Sequence, residues 1–181
     1  MPDLKPARRP PLLAASPGVR PLPPAARWIL RGGPKVRLAA EGALELAVPA
    51  TACRANAAGE SAALWLGPDE WLLISGERAA DETAAALRAA LAGLPHSLVD
   101  VSHRHMALEV RGPDAPLLLA AGCPLDLDAA AFPAGMCTRT MLSKAEIVLW
   151  RTAADVFRIE VWRSFAPYVS AFLSEAARGV S

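Results

Sequence analysis

The sequence predicts an α+β domain, a small antiparallel sheet combined with about three helices. Three observations predict it. Phe157, Ile159 and Val161 alternate with polar neighbours, the period of a strand with one apolar face. Phe165, Tyr168, Val169, Phe172, Leu173 and Ala176 recur at i, i+3, i+4, i+7, i+8 and i+11, the stripe of an amphipathic helix. Upstream, short apolar runs are divided by turn formers, including Gly-Pro-Asp at both 67–69 and 112–114.

In chain order, Arg27–Arg31 and Ala43–Val48 read as short strands. So do Ala62–Leu66 and Glu70–Ser75, joined by Gly67-Pro68-Asp69, whose proline presets the turn φ. Asp81 reads as the cap of a helix with apolar positions Ala84, Leu87, Leu91 and Leu94. Leu98–Val101 and Met106–Val110 read as strands of conflicting phase, the first apolar at odd positions and the second at even ones. One continuous strand cannot put both sets on one face, so the chain must bend or bulge within Ser102–His105. The second Gly-Pro-Asp opens a helix, with Asp114 as cap and Leu117–Ala121 as body. After a loop over Cys123–Gly135, strands are expected at Thr138–Leu142, Ala145–Arg151 and Asp155–Trp162. Ser164 caps the closing helix, Pro167 sits in its first turn and Gly179 ends it.

The chain has 181 residues, 53% of them hydrophobic and 20% charged, enough for one domain with a sizeable core. Nineteen basic residues against eighteen acidic ones give +1, which argues against a general nucleic-acid binder. The charge is uneven: residues 1–37 carry +7 and residues 38–181 carry −6. Nine of the seventeen prolines lie at or before Pro34. Residues 1–26 therefore read as a Pro/Arg-rich extended arm, and 27–181 as a single domain. The apolar run Leu12–Ala15 is too short for a signal peptide, and no stretch approaches a membrane span. Cys53, Cys123 and Cys137 have no CxxC spacing, so neither a disulfide framework nor a thiolate zinc site is expected, and a cytoplasmic location is.

Few constellations suggest chemistry. Asp100, Ser102 and His103 have the residue types of a hydrolase triad, but in an extended chain His103 points away from the other two. His103 and His105 could begin a metal site, yet the third ligand must come from afar, and His96 is the only other histidine. Cys123 and Cys137 read as buried thiols. Arg31-Gly32-Gly33-Pro34 reads as a plain turn rather than a phosphate loop, and the five tryptophans read mostly as core. No catalytic, cofactor-binding or metal-ligating residue is assigned.

Specific blocks do resemble a known family. Leu66–Leu73, Val99–Arg104, Gly122–Asp128, Phe132–Gly135, Thr138–Leu142, Lys144–Arg151 and Arg163–Ala166 are similar, in order and spacing, to the gamma subunit of heterotetrameric sarcosine oxidase. The resemblance covers about residues 60–178 and implies part of the glycine-cleavage T-protein folate-binding fold. It also implies a non-catalytic structural subunit with alpha, beta and delta subunits as partners, no nucleic acid and no membrane. The assembled enzyme would convert sarcosine, O2 and tetrahydrofolate to glycine, methylene-tetrahydrofolate and H2O2. FAD, FMN, NAD, tetrahydrofolate and zinc would lie on the other subunits. A complex acting on another N-methyl amino acid such as N-methylglutamate is one alternative. A free-standing folate-binding protein is another, although Asp100, Glu109, Glu146 and Glu160 form no recognisable pterin site. Met136–Arg139 lacks the Lys-Gly-Cys-Tyr motif of the iron–sulfur-assembly relatives.

Overall fold

Trp71, Leu72, Leu73 and Ile74 are four consecutive buried residues, so the strand that carries them, β5 (Glu70–Gly76), has no solvent face. A sheet built from such strands must be covered on both sides. The computed structural model, which describes Leu13 and residues 18–179, shows how. One sheet runs β3 (Ala55–Ala58), β4 (Ser61–Gly67), β5, β2 (Ala25–Gly32) and β6 (His96–Asp100). The other runs β1 (Val19–Pro21), β7 (His105–Arg111), β10 (Val156–Trp162), β9 (Ala145–Ala153) and β8 (Cys137–Leu142). Every pairing between these strands is antiparallel.

The pleat sorts side chains into three cores. Trp28, Leu30, Trp71 and Leu73 pack against α1 (Pro34–Leu44) and α2 (Ala80–Leu91). Leu108, Val110, Ile147, Leu149, Phe157, Ile159 and Val161 pack against α3 (Ala115–Ala120) and α4 (Ala166–Arg178). The opposite faces meet each other: Ala62, Leu64, Leu72 and Ile74 of the first sheet lie against Cys137, Val148 and Trp150 of the second. The order of layers is therefore helices, sheet, sheet, helices. Each fully buried Leu or Ile contributes roughly 1.5–3 kcal/mol.

This α+β architecture is the predicted class, with corrections to individual elements. The expected strand at 43–48 is the end of a helix. Pro34 starts α1 with its preset φ, Val36, Ala40 and Leu44 form the buried stripe, and Glu45 ends it in the left-handed region at φ 50°. The segment 31–34 is thus the entry to a helix rather than a plain turn. Asp81 lies in the first turn of α2 instead of capping it, because a short 3-10 turn, Glu77–Ala79, precedes the helix. Leu94 falls beyond its end. Phe165, not Ser164, holds the cap position of α4, and Phe165 and Tyr168 of the expected apolar stripe are exposed.

Residues 1–12 and 14–17 of the expected arm lie outside the described residues. Its remaining part is not separate from the domain. β1 pairs with the outer edge of β7, Val19 opposite Val110, and Leu13 packs against the α3/α4 core. Pro21 ends that strand, a position where its missing N–H costs no ladder bond. Gly18 makes the entry: it has φ +71°, its carbonyl accepts the Arg111 N–H at 2.7 Å, and a Cβ there would lie 2.6 Å from the Arg111 carbonyl oxygen. Gly18→Ala should loosen β1 alone, at a cost of roughly 1–3 kcal/mol. Hydrogen exchange of the Leu22 N–H, which donates to the Ala107 carbonyl at 2.9 Å, should then speed up about tenfold while the thermal transition of the domain hardly moves. An unchanged exchange rate would show that the pairing does not depend on this glycine.

Candidate functional site

The alternation that builds the cores also forces charged residues inward. On β2, Trp28 and Leu30 point to the helices, so Arg27 and Ile29 face the other sheet. On β10, Phe157, Ile159 and Val161 point to α3 and α4, so Arg158 and Glu160 face the first sheet. Arg27 and Glu160 meet there, 2% and 1% exposed. Arg27 Nε donates to Glu160 Oε2 at 2.6 Å, and Nη1 donates to the Ala25 carbonyl at 2.8 Å. Arg158 Nε donates to Glu160 Oε1 at 2.8 Å. Burial alone would raise the Glu160 pKa. The two guanidiniums and their hydrogen bonds outweigh it and hold the carboxyl below its ordinary value.

The bend predicted at 102–105 is the place where the chain passes from one sheet to the other, which explains the break in phase. Asp100 Oδ1 accepts the Ser102 N–H at 2.8 Å and closes the turn. The buried Ser102 hydroxyl accepts the Arg27 N–H at 2.9 Å, pinning the turn to β2. His105 enters β7 just beyond, buried beside Glu160, Arg27 and Arg104. Its Nδ1 has no hydrogen-bond partner among the described residues. Desolvation is the main cause of a pKa lowered to about 4; Glu160 opposes this, and Arg104 and Arg27 add to it. His105 is therefore neutral at pH 7. A cleft of about 460 Å³ opens beside this cluster. Pro23, Pro24, Leu22 and Met106 give it apolar walls, and Arg27, Ser102 and His105 are also in its lining.

The structure does not gather the sequence candidates into a reacting group. Asp100 bonds the Ser102 main chain, the Ser102 hydroxyl bonds the main chain of Arg27, and His103 stands exposed on the turn. His103 and His105 are separated in the same way, one outside and one inside. Among the described residues no three His, Cys, Asp or Glu side chains form a metal-sized group. His96 is exposed and bonds the Leu94 carbonyl at 2.8 Å. Cys137 is buried between the sheet edges, its Sγ donating to the Arg54 carbonyl at 3.3 Å, and burial pushes its pKa up to about 12. Cys123 is buried as well, and Cys53 is partly exposed. Glu109 pairs with Arg20 and Arg111, Glu146 is exposed, and only Glu160 of the four acids singled out lies in the centre. Sequence reasoning missed Arg27 as a member of this centre.

Comparison with known proteins settles the family. Residues 32–179 match the model of the sarcosine oxidase, gamma subunit family. The chain belongs to this family. It is 40% identical over 116 residues to the sarcosine oxidase subunit gamma of Corynebacterium sp. (strain P-1), covering 64% of this chain and 56% of that one. It is 44% identical over 98 residues to the namesake from Arthrobacter sp, covering 54% and 47%. The chain thus spans about half the length of the curated relatives it matches. Among solved structures, heterotetrameric sarcosine oxidase from Corynebacterium sp. U-96, in complex with pyrrole 2-carboxylate, aligns with TM-score 0.83 and 30% identity over 89% of this chain and 83% of that one. An aminomethyltransferase T of the glycine cleavage system from Bartonella henselae aligns at TM-score 0.66 and 16% identity, over 89% of this chain and 48% of that one, a likeness of fold alone.

Several of the sequence blocks that carry the family resemblance turn out to be structural staples. Val99–Arg104 contains the crossing turn. Phe132–Gly135 belongs to a loop held by buried Arg151, whose Nη1 donates to the carbonyls of Leu127 at 3.1 Å and Phe132 at 2.8 Å. His105 offers a direct test of the centre. An unfolded imidazole takes its proton near pH 6.5, the folded one near 4, so its contribution is complete above 6.5 and is lost as the pH falls towards 4. Glu160 acts in the same direction lower down, stabilising above its unfolded pKa of 4.5 and ceasing to do so in stronger acid. His105→Gln should therefore lose about 2 kcal/mol less than the parent between pH 6.5 and 5, measured by urea unfolding at each pH. Parallel pH profiles would place His105 in contact with water.

Proposed function

We propose that this chain is the non-catalytic structural subunit of a heterotetrameric sarcosine oxidase, working beside alpha, beta and delta subunits. The observation that carries the reading is the family match over residues 32–179. The fold likeness to a solved heterotetramer, which covers most of the chain, supports it. So does the character of the central cluster. Arg27, Arg158, Glu160 and Ser102 spend their hydrogen bonds on one another and on the main chain, the pattern of groups that hold a structure together. In this reading, oxidation of sarcosine by O2, with transfer of the one-carbon unit to tetrahydrofolate, is done by the assembly. FAD, FMN, NAD, tetrahydrofolate and zinc reside on the other subunits, and no residue of this chain touches substrate.

Co-expression with and without this chain tests the proposal. The chain alone should be colourless and release no H2O2 from sarcosine. With its partners it should be recovered in a flavin-bearing complex, and leaving it out should lower the yield of that complex severalfold. Stoichiometric flavin on the isolated chain, or tight stoichiometric binding of tetrahydrofolate to it, would contradict the structural role.

A further inference from the structure

Among the described residues the exposed large hydrophobic side chains are Leu38 on α1, Val99 on β6, Leu117 on α3, and four others, Met141, Trp162, Phe165 and Tyr168, towards one end of the second sheet. The turn after β10 carries Trp162 and Phe165, 41% and 42% exposed, tied together by the Phe165 N–H donating to the Trp162 carbonyl at 2.8 Å. One turn along α4 stands Tyr168, 38% exposed, with its hydroxyl 2.8 Å from Ser143 Oγ in the β8–β9 hairpin. Met141, 41% exposed, lies two residues before that serine. On the other side the guanidinium of Arg104 stacks over the Trp162 ring at 4.8 Å, and the Arg104 carbonyl accepts the Arg163 N–H at 2.7 Å. Arg104, Trp162, Phe165 and Tyr168 thus follow one another along this edge, and the hairpin that carries Met141 is tied to them through Ser143.

Nothing in the fold requires these residues to be large and apolar. A stripe on α4 would have been complete with the buried Ala166, Val169, Ser170 and Leu173. Water-facing Trp, Phe, Tyr and Met in contact with Arg is the composition of the centre of a protein–protein interface, and a contiguous patch of this kind is uncommon on a free-standing monomer. The charges on it specify the partner further. Arg104 and Lys144 are exposed at opposite ends of the patch, and Glu146 is the acid near Trp162, so basic groups are in excess. The domain behind it is net acidic.

We infer that the end surface formed by Arg104, Met141, Trp162, Phe165 and Tyr168 is where this chain docks on a partner subunit of the oxidase. The partner presents an apolar depression flanked by carboxylates. The inference rests on the subunit reading above and adds its location. Trp162 and Phe165 fill the depression; Arg104 and Lys144 meet the carboxylates and set the salt dependence of association.

The test uses the full chain, tagged and co-expressed with the alpha, beta and delta subunits. The read-out is partner protein recovered per tagged chain. Trp162→Ala combined with Phe165→Ala should reduce recovery at least about tenfold. Arg104→Glu combined with Lys144→Glu should reduce it severalfold and make it less sensitive to added salt. Leu117→Ala, on α3 and 60% exposed, should change it less than twofold. Because the substituted side chains are on the surface, each variant should keep the parent thermal transition. Should both patch variants lose the fold, the milder Phe165→Ser alone decides, with a predicted severalfold loss. Full recovery with folded patch variants would overturn the inference and leave the subunit reading standing. No recovery with the parent chain would overturn both. A patch that instead pairs two copies of this chain, with partner recovery unaffected by its loss, would also overturn the inference.

Discussion

Arg27 and Glu160 are 133 residues apart in sequence, lie on different sheets, and are withdrawn together from water. Each ion loses several kcal/mol of hydration there, and the pair recovers that loss only in good geometry. Its value is therefore registry more than net stability. A sheet of Leu, Ile and Trp can slide over another sheet of similar residues at little cost. A guanidinium that must meet a carboxylate cannot. Once β2 is fixed over β10, the Ser102 hydroxyl finds the Arg27 N–H, the chain crosses between sheets at 102–104, and His105 enters β7 at depth. Arg158 brings a second guanidinium to the same carboxylate from the same strand as Glu160.

The far side of the sandwich is closed by main chain instead. Arg54 and Met136 form a bridge, Cys137 N–H donates to the Cys53 carbonyl at 3.0 Å, and Arg139 pairs with Glu70 across the gap. One side of the sheet pair is thus held by backbone and the other by a buried charge, with the cleft beside the charge. In the proposed assembly, an inert and rigid body that offers one aromatic end to its neighbour is a sufficient account of a structural subunit.

Much of this was legible in the sequence. Strict alternation marks β10, the i, i+3, i+4 stripe marks α4, and the phase conflict around 102–105 marks a bend or bulge, which in the structure is the passage between the two sheets. The helix α1 was missed because Ala43–Val48 imitates a strand and because Gly33-Pro34 looks like a turn until the helix behind it is seen. Arg27 was missed for a deeper reason. In a two-layer reading, Arg158 and Glu160 form the solvent face of β10, and Arg27 is the frayed end of β2. Only the packing of sheet on sheet turns those polar faces inward, and that is a long-range fact which no local period records. The same limit applies to Phe165 and Tyr168: periodicity assigns them to a core, and only the three-dimensional fold shows that the core is complete without them.

A double-mutant cycle on Arg27→Met and Glu160→Leu, followed by equilibrium unfolding, tests the central claim most directly. If the pair sets how the sheets align, Glu160→Leu strands the buried Arg27 charge and costs about 3–5 kcal/mol, Arg27→Met costs less because Glu160 keeps Arg158, and the double change recovers most of the larger loss. Additive losses in the double variant, with no coupling between the two sites, would contradict the account and mean that the sheets are aligned by their apolar surfaces alone.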